Sequence, residues 1–253
     1  MAGNHYPYRV LSSRLVTPVI RALELAPEQA ALPYRAGQYV LLGDPGQRLP
    51  PRSYSVANAP RADGVVDLLV TLVPGGVITG WVHERLRPGH RVRLTGPYGT
   101  FLPDADQAGP VLLLAAGSGI APARALAEAL LDTPQPRPVT LFFSARGRAD
   151  TIDDTRWRDW ANSRKDFHYL LTLTRDPGAP KHPRIPDLLP VEFGDLKGWE
   201  VFVSGPPAFV TGCAAVAETL GAERAAIRTE EFFTEPQPWT RLPPVAAKQE
   251  TPR

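Results

Sequence analysis

Two short stretches of this chain carry residue types suited to holding phosphate. The first, Gly117-Ser118-Gly119-Ile120-Ala121-Pro122, follows the unbroken apolar run Val111–Ala116 and opens an Ala- and Leu-rich segment of helical spacing. Glycine lets backbone approach a ligand where a Cβ would collide, and proline suits a first helical turn because it has no N–H to leave unpaired. A helix beginning there points free N–H groups and the positive end of its dipole at whatever lies above the turn, which makes an anion site. Gly-x-Gly-x-x-Pro lacks the final glycine of the Gly-x-Gly-x-x-Gly dinucleotide fingerprint, so taken alone it serves equally as a plain strand-to-helix turn. The second stretch, Gly75-Gly76-Val77-Ile78-Thr79, leads into a predicted helix Thr79–Leu86, capped by Thr79 and with Val82 and Leu86 on one face. Its N-terminus is a second prospective anion site.

Two kinds of element must position these turns. From Tyr8 to about Leu102 the chain reads as short strands, Tyr8–Val16, Val19–Leu25, Gln38–Leu42, Arg52–Val56, Val65–Val73 and Arg91–Thr95. They are broken by Pro45-Gly46, Asp63-Gly64 and Arg87-Pro88-Gly89, the rhythm of a small antiparallel barrel. After Pro103-Asp104, apolar runs beginning near Val111, Val139, His168 and Val201, with a shorter one near Ala226, alternate with helical segments. Helices are expected at Pro122–Leu131, Thr155–Ser163 and Pro207–Leu220, the last closed by Gly221. That alternation predicts a doubly wound parallel sheet. The expected division is a barrel domain over 1–104, an α/β domain over 105–234 and a proline-rich tail over 235–253.

Composition narrows the function classes. The 253 residues suit two ordinary domains, and a formal net charge of +2 offers no strong field for nucleic acid or an anionic membrane. No apolar run approaches the ~20 residues needed for a membrane span, and the first residues have no apolar signal region, so a cytoplasmic protein is expected. Cys213 is the one cysteine, which excludes an internal disulfide and an iron–sulfur cluster held by four thiolates of this chain. It shares a helical face with Val210, Ala217 and Leu220 and reads as a small core residue. The five histidines, His5, His83, His90, His168 and His182, lack zinc-site spacing, and no metal is expected.

The tetrapeptide Arg52-Ser53-Tyr54-Ser55 in the barrel, followed in order by the Gly75 and Gly117 turns and by Val201-Phe202-Val203-Ser204-Gly205-Pro206, resembles the ferredoxin–NADP⁺ reductase superfamily. The resemblance runs from about Tyr8 to Phe233. It implies an N-terminal antiparallel flavin-binding barrel and a nicotinamide-dinucleotide-binding α/β domain. Arg52 would pair with flavin phosphate, Tyr54 would pack on the ring system and Ser55 would hydrogen-bond near its reactive nitrogen; a guanidinium fork fits phosphate, and a flat phenol covers a flat ring. Gly75, Gly76, Val77, Ile78 and Thr79 would cradle the flavin pyrophosphate. Ala36-Gly37-Gln38-Tyr39 and Gly96–Phe101 also resemble family segments and read first as scaffold.

On the same resemblance, Gly117, Ser118, Gly119 and Pro122 would line the nicotinamide dinucleotide, joined by Gly205 and Pro206. Ser204 stands where the family carries a cysteine that helps position nicotinamide, which puts the rate of hydride transfer in question. Ile227–Phe232 resembles the closing segment, with Glu230 as the acid that approaches the flavin, Glu231 as the alternative, and Phe232 as the aromatic. Arg146, Arg148 and Arg175 could bind a 2′-phosphate, and no acid stands within Ser144–Arg148, which favours NADPH over NADH.

The resemblance implies FAD as cofactor, although FMN serves the same tetrapeptide in some relatives, and NADPH or NADH as hydride donor. Without four cysteines, electrons are expected to leave one at a time to a separate ferredoxin-like carrier serving an oxygenase. A flavin or quinone reductase acting on a small acceptor, and a flavin-binding subunit without turnover, are the competing readings.

Overall fold

The computed structural model describes residues 4–176, 178 and 183–233; the tail assigned to 235–253, and His182, lie outside them. The first half forms six strands: β1 (His5–Leu15), β2 (Ile20–Pro27), β3 (Tyr39–Gly43), β4 (Arg52–Ser55), β5 (Val66–Thr71) and β6 (Arg91–Tyr98). They pair antiparallel in the order β4-β3-β6-β1-β2-β5, and a bridge from Val56 to Leu68 brings the two edges of this curled sheet together. Period-two alternation turns Tyr8, Val10, Leu23, Leu25, Val40, Leu42, Val92 and Leu94 inward to one core. Tyr8 keeps its hydroxyl satisfied at that depth, donating to the Gly64 carbonyl at 3.1 Å and accepting from Leu32 N–H at 2.9 Å.

Helix α1 (Val77–Glu84) follows β5 and packs Ile78, Thr79 and Val82 inward. It begins two residues earlier than expected. Gly76 occupies the cap position, and Thr79 lies inside the first turn, so Thr79 is not the cap.

The second half holds β7 (Val111–Ala116), α2 (Ile120–Leu131), β8 (Val139–Ala145), α3 (Asp154–Ser163), β9 (Phe167–Leu173), α4 (Ile185–Glu192), β10 (Glu200–Gly205), α5 (Pro207–Thr219) and β11 (Ile227–Glu231). The strands are parallel in the order β11-β10-β7-β8-β9. Helices cover both faces, which is why β7 reads as continuous apolar sequence and why Val111–Ala115 are fully buried. Helix α4 is not among the helices expected from the sequence; it carries Pro186 in its first turn, where the missing N–H leaves no gap, and Pro190 further on. Gly221 ends α5 at φ +91° as expected. Cys213 is buried with Val210 and Ala217, and burial pushes its thiol up to about 12.

The two halves share apolar surface. Ala36, Ala57, Leu69 and Phe101 of the barrel join Ile120, Ala123, Leu126 and Phe202 in one buried cluster, and the Phe101 and Phe202 rings meet edge-to-face at 5.0 Å. No helix among the described residues is long and apolar enough to cross a membrane.

Candidate functional site

The chain leaves β7 toward β8 and β9 on one side and returns to β10 and β11 on the other. A crevice therefore opens beyond the carboxyl ends of β7 and β10, the place where doubly wound sheets take ligands. Gly117, Ser118 and Gly119 form a single 3₁₀ turn at its lip and run directly into α2. Their two glycines answer different needs. Gly117 adopts φ +56° with open space above it, whereas a Cβ on Gly119 would run into the backbone of Ser204 and reach Gly205 N at 2.9 Å. Pro122 is buried in the first turn of α2, where it shapes the helix start.

From the opposite lip, Ser204 is 1 % exposed and donates its hydroxyl to the Gly119 carbonyl at 2.7 Å. The side chain at the expected cysteine position thus ties the glycine turn to β10. Pro206 caps α5, and Phe232 N–H bonds the Gly205 carbonyl at 2.8 Å, so β11 ends at the same crevice.

The barrel presents β4 to this crevice. Ser55 Oγ donates to Glu230 Oε2 at 2.9 Å across a separation of 175 residues. Burial lifts the Glu230 carboxyl to about 7, against the lowering effect of the Ser55 bond. Glu231 is exposed, so of the two acids Glu230 meets the barrel. Tyr39 pairs across the strands with Ser55 and with Tyr98, and the two tyrosine rings stand 5.7 Å apart. Burial first, and then the charge of Glu230, raise the Tyr39 hydroxyl. The scaffold segments at 36–39 and 96–101 therefore bring Tyr39 and Tyr98 to the site, which their sequence reading did not give. Strand alternation puts Arg52 and Tyr54 on the other face of β4, where Tyr54 leans on the barrel core.

At the second turn, Gly75 takes φ +73°, and a Cβ on Gly76 would stand 2.5 Å from Thr79 Oγ1. The Thr79 hydroxyl faces its own loop, bonding Val73 and Gly76 backbone at 3.2–3.3 Å. It staples the turn, so any anion above it meets the N–H groups of Val77, Ile78 and Thr79 at the helix start.

Beyond β8, Arg175 N–H bonds the Arg146 carbonyl at 2.7 Å, drawing two of the three expected arginines together. Arg148 is 86 % exposed with Asp176 3.8 Å away, and Asp150 accepts from Gly147 N–H at 3.1 Å. Acids thus stand just past Ser144–Arg148, on turns that the sequence pattern did not connect. Among the described residues no group of His, Cys, Asp or Glu is placed to hold a metal.

Sequence reasoning also passed over Arg124. The residue is 6 % exposed, and its guanidinium bonds the Ala57 carbonyl, Asp67 at 2.7 Å and Asp153 at 3.0 Å. One turn on, Glu128 accepts from Ala59 N–H at 2.8 Å and from Arg156 at 2.6 Å. A charge inside an Ala-rich helix gives no local sign of these partners.

The glycine cradles, the helix starts and the β4 wall fit a flavin and a second, nicotinamide dinucleotide. Comparison with known proteins agrees. Residues 11–102 match the family model for the oxidoreductase FAD-binding domain, and 113–215 match that for the oxidoreductase NAD-binding domain. The chain is 38 % identical over 184 residues to the aromatic O-demethylase reductase subunit of an Amycolatopsis species, covering 71 % of this chain and 55 % of that one. It is 33 % identical to the phenol 2-monooxygenase reductase component of a Pseudomonas species, covering 90 % of this chain and 66 % of that protein. Thus it spans under two thirds of the length of both relatives. Among solved structures, an Amycolatopsis cytochrome P450 reductase superposes with a TM-score of 0.81 at 33 % identity, over 90 % of this chain and 70 % of that one.

Proposed function

This chain belongs to the ferredoxin–NADP⁺ reductase superfamily, with an FAD-binding domain ahead of an NAD-binding domain, and from that premise we propose that it takes a hydride from NAD(P)H onto FAD and passes single electrons to a separate carrier protein. The observation that carries this reading is the Ser55–Glu230 hydrogen bond, which joins barrel to nucleotide domain at the mouth of the β7–β10 crevice. The working boundary between the domains is 104/105, within the link from β6 to β7. A reaction fed by the NAD(P)H pool belongs in the cytoplasm. A separate ferredoxin-like acceptor serving an oxygenase accords with relatives named as reductase components of an O-demethylase and a monooxygenase.

A bound flavin supplies the exchange between hydride and one-electron chemistry. The protein binds and orients. By the resemblance Arg52 is assigned the flavin phosphate and Tyr54 the ring, from the face of β4 opposite Ser55, and Gly75 to Thr79 the pyrophosphate through backbone N–H groups. Gly117 to Gly119, with Gly205 and Pro206, hold the nicotinamide half, Phe232 is the aromatic assigned to the flavin, and Ser204 keeps the glycine turn in register with β10. Ser55 and Glu230 manage a proton. When Glu230 is ionised it accepts the Ser55 hydroxyl; when protonated it can donate back, freeing that hydroxyl to donate toward the ring. Arg146, Arg148 and Arg175 support NADPH as the donor, with Asp150 and Asp176 as the competing acids.

The test is an anaerobic spectrum of the purified protein, with NADPH and then NADH added and the released flavin identified by mass. Bleaching by NADPH at low concentration, and release of FAD, is the expected result. A flavin that stays oxidised with both donors overturns the reductase reading, and turnover with free quinones but no carrier protein favours a direct reductase.

Glu230→Gln gives a second expected outcome. A flavin held against Ser55 would gain negative charge near Glu230 on reduction, so reduction should be fastest with that carboxyl neutral and should slow as pH rises through about 7. The amide variant should lose that limb of the profile. The same raised value means the native state holds more protons than the unfolded chain between 4.5 and about 7. Stability should therefore fall as pH rises through that window and level above it. A profile with the same inflection in Glu230→Gln removes this acid from the mechanism.

A further inference from the structure

We propose that Arg124 is a positioning residue that fixes the dinucleotide helix α2 to the flavin wall of the barrel, so that the two ligand sites keep one relative geometry. The inference rests on the reading of the crevice as a dinucleotide site and adds to it a residue that touches neither ligand.

Arg124 lies five positions past Gly119 on the helix that the glycine turn opens. Its Nε donates to the carbonyl of Ala57, two residues beyond Ser55. Its two terminal nitrogens reach Asp67 on β5 and Asp153 ahead of α3. Ala57 and Asp67 are themselves joined at the barrel seam by an N–H to carbonyl bond of 2.8 Å. One rigid fork thus spans the seam, α2 and the start of α3. Only a planar guanidinium can serve three acceptors in fixed directions, and at this burial each would be costly to leave unmade. The carboxyl of Asp67 is raised by its own burial, with the Arg124 charge as the main opposing influence. Glu128, on the same face one turn later, repeats the crossing through Ala59 N–H and Arg156. Two successive turns of α2 therefore grip the barrel segment that follows β4.

The geometry suits positioning because catalysis here is alignment, and misplacement by about 1 Å costs on the order of 100-fold. Arg124→Ala leaves Asp67 buried without its cation and should melt about 10 °C lower. Adding Asp67→Asn removes that stranded charge and should recover most of the loss. With flavin loaded, reduction by saturating NADPH in the double variant should still be at least tenfold slower than in the parent. Hydrogen exchange should rise together at 55–59 and 117–123, on opposite sides of the crevice. Recovery of rate along with melting temperature would make Arg124 merely structural and overturn the proposal, as would exchange that rises on one side alone. Should the parent itself fail to bleach, the reductase reading falls, while the exchange measurement still decides whether Arg124 couples the two sites.

Discussion

Gly119→Ala is expected to lower the rate of flavin reduction by either coenzyme more than 100-fold while the protein keeps its flavin. The glycine has an ordinary helical φ of −60°, so backbone strain is not the reason. A Cβ there points at the Ser204 carbonyl and lies 2.9 Å from Gly205 N, both backbone atoms of a strand paired on either side. No flexible side chain can yield. Either β10 moves away from β7 or the start of α2 lifts, and each breaks the 2.7 Å bond from Ser204 to Gly119. The helix N-terminus that should meet the pyrophosphate is then displaced, and the donor loses its alignment with the flavin. The barrel site does not include this turn, which is why flavin content should persist. Stopped-flow bleaching with NADPH and NADH, beside the flavin-to-protein ratio, checks both halves. A rate within tenfold of the parent would mean that the crevice is not the coenzyme site. Gly117→Ala makes a useful contrast: its cost is the left-handed φ of +56°, and the space above is open.

The sequence already contained most of what places these residues. Period-two apolar positions and the turn pairs Asp63-Gly64 and Pro88-Gly89 located the barrel strands to within a few residues. The apolar run before Gly117 located the central parallel strand. What local pattern could not supply was contact at long range. Ser55 and Glu230 were each named by resemblance, but only the closing of β11 against β10 and of the barrel against both brings one to the other. Thr79 was misread as a cap because a hydroxyl just before an apolar stripe is the usual sign of a helix start; the helix begins earlier at Val77, and the hydroxyl turns back to its loop. Helix α4 is an eight-residue element with prolines at 186 and 190, and no helical expectation covered it. Arg124 was hidden by its type, since an arginine among alanines and leucines reads as a solvated charge until Ala57, Asp67 and Asp153 are folded around it.

Arg52→Ala should lose the flavin on purification. Arg52 opens β4, opposite Leu42 on β3 and on the same face as Tyr54, so one short strand carries the phosphate cation and the ring-packing phenol in fixed relation. Its Nη1 bonds the Pro51 carbonyl at 3.3 Å, which steadies the side chain beside the strand. A charge-assisted guanidinium–phosphate pair contributes about 1.5–3 kcal/mol, so its removal should weaken flavin binding roughly 10–150-fold. The fold should survive, because Arg52 is half-buried at the start of a four-residue edge strand and is not one of the apolar side chains that fill the barrel core. Arg52→Lys keeps the charge without the fork and should fall between the two, with flavin retained at high protein concentration and lost on dilution. Titration of the apoprotein with FAD, followed by quenching of flavin fluorescence, measures the ranking. Full flavin in Arg52→Ala would move the phosphate site elsewhere, to the α1 start, where Gly75 and Gly76 leave the backbone open; Gly76→Ala would then be the variant that comes out colourless.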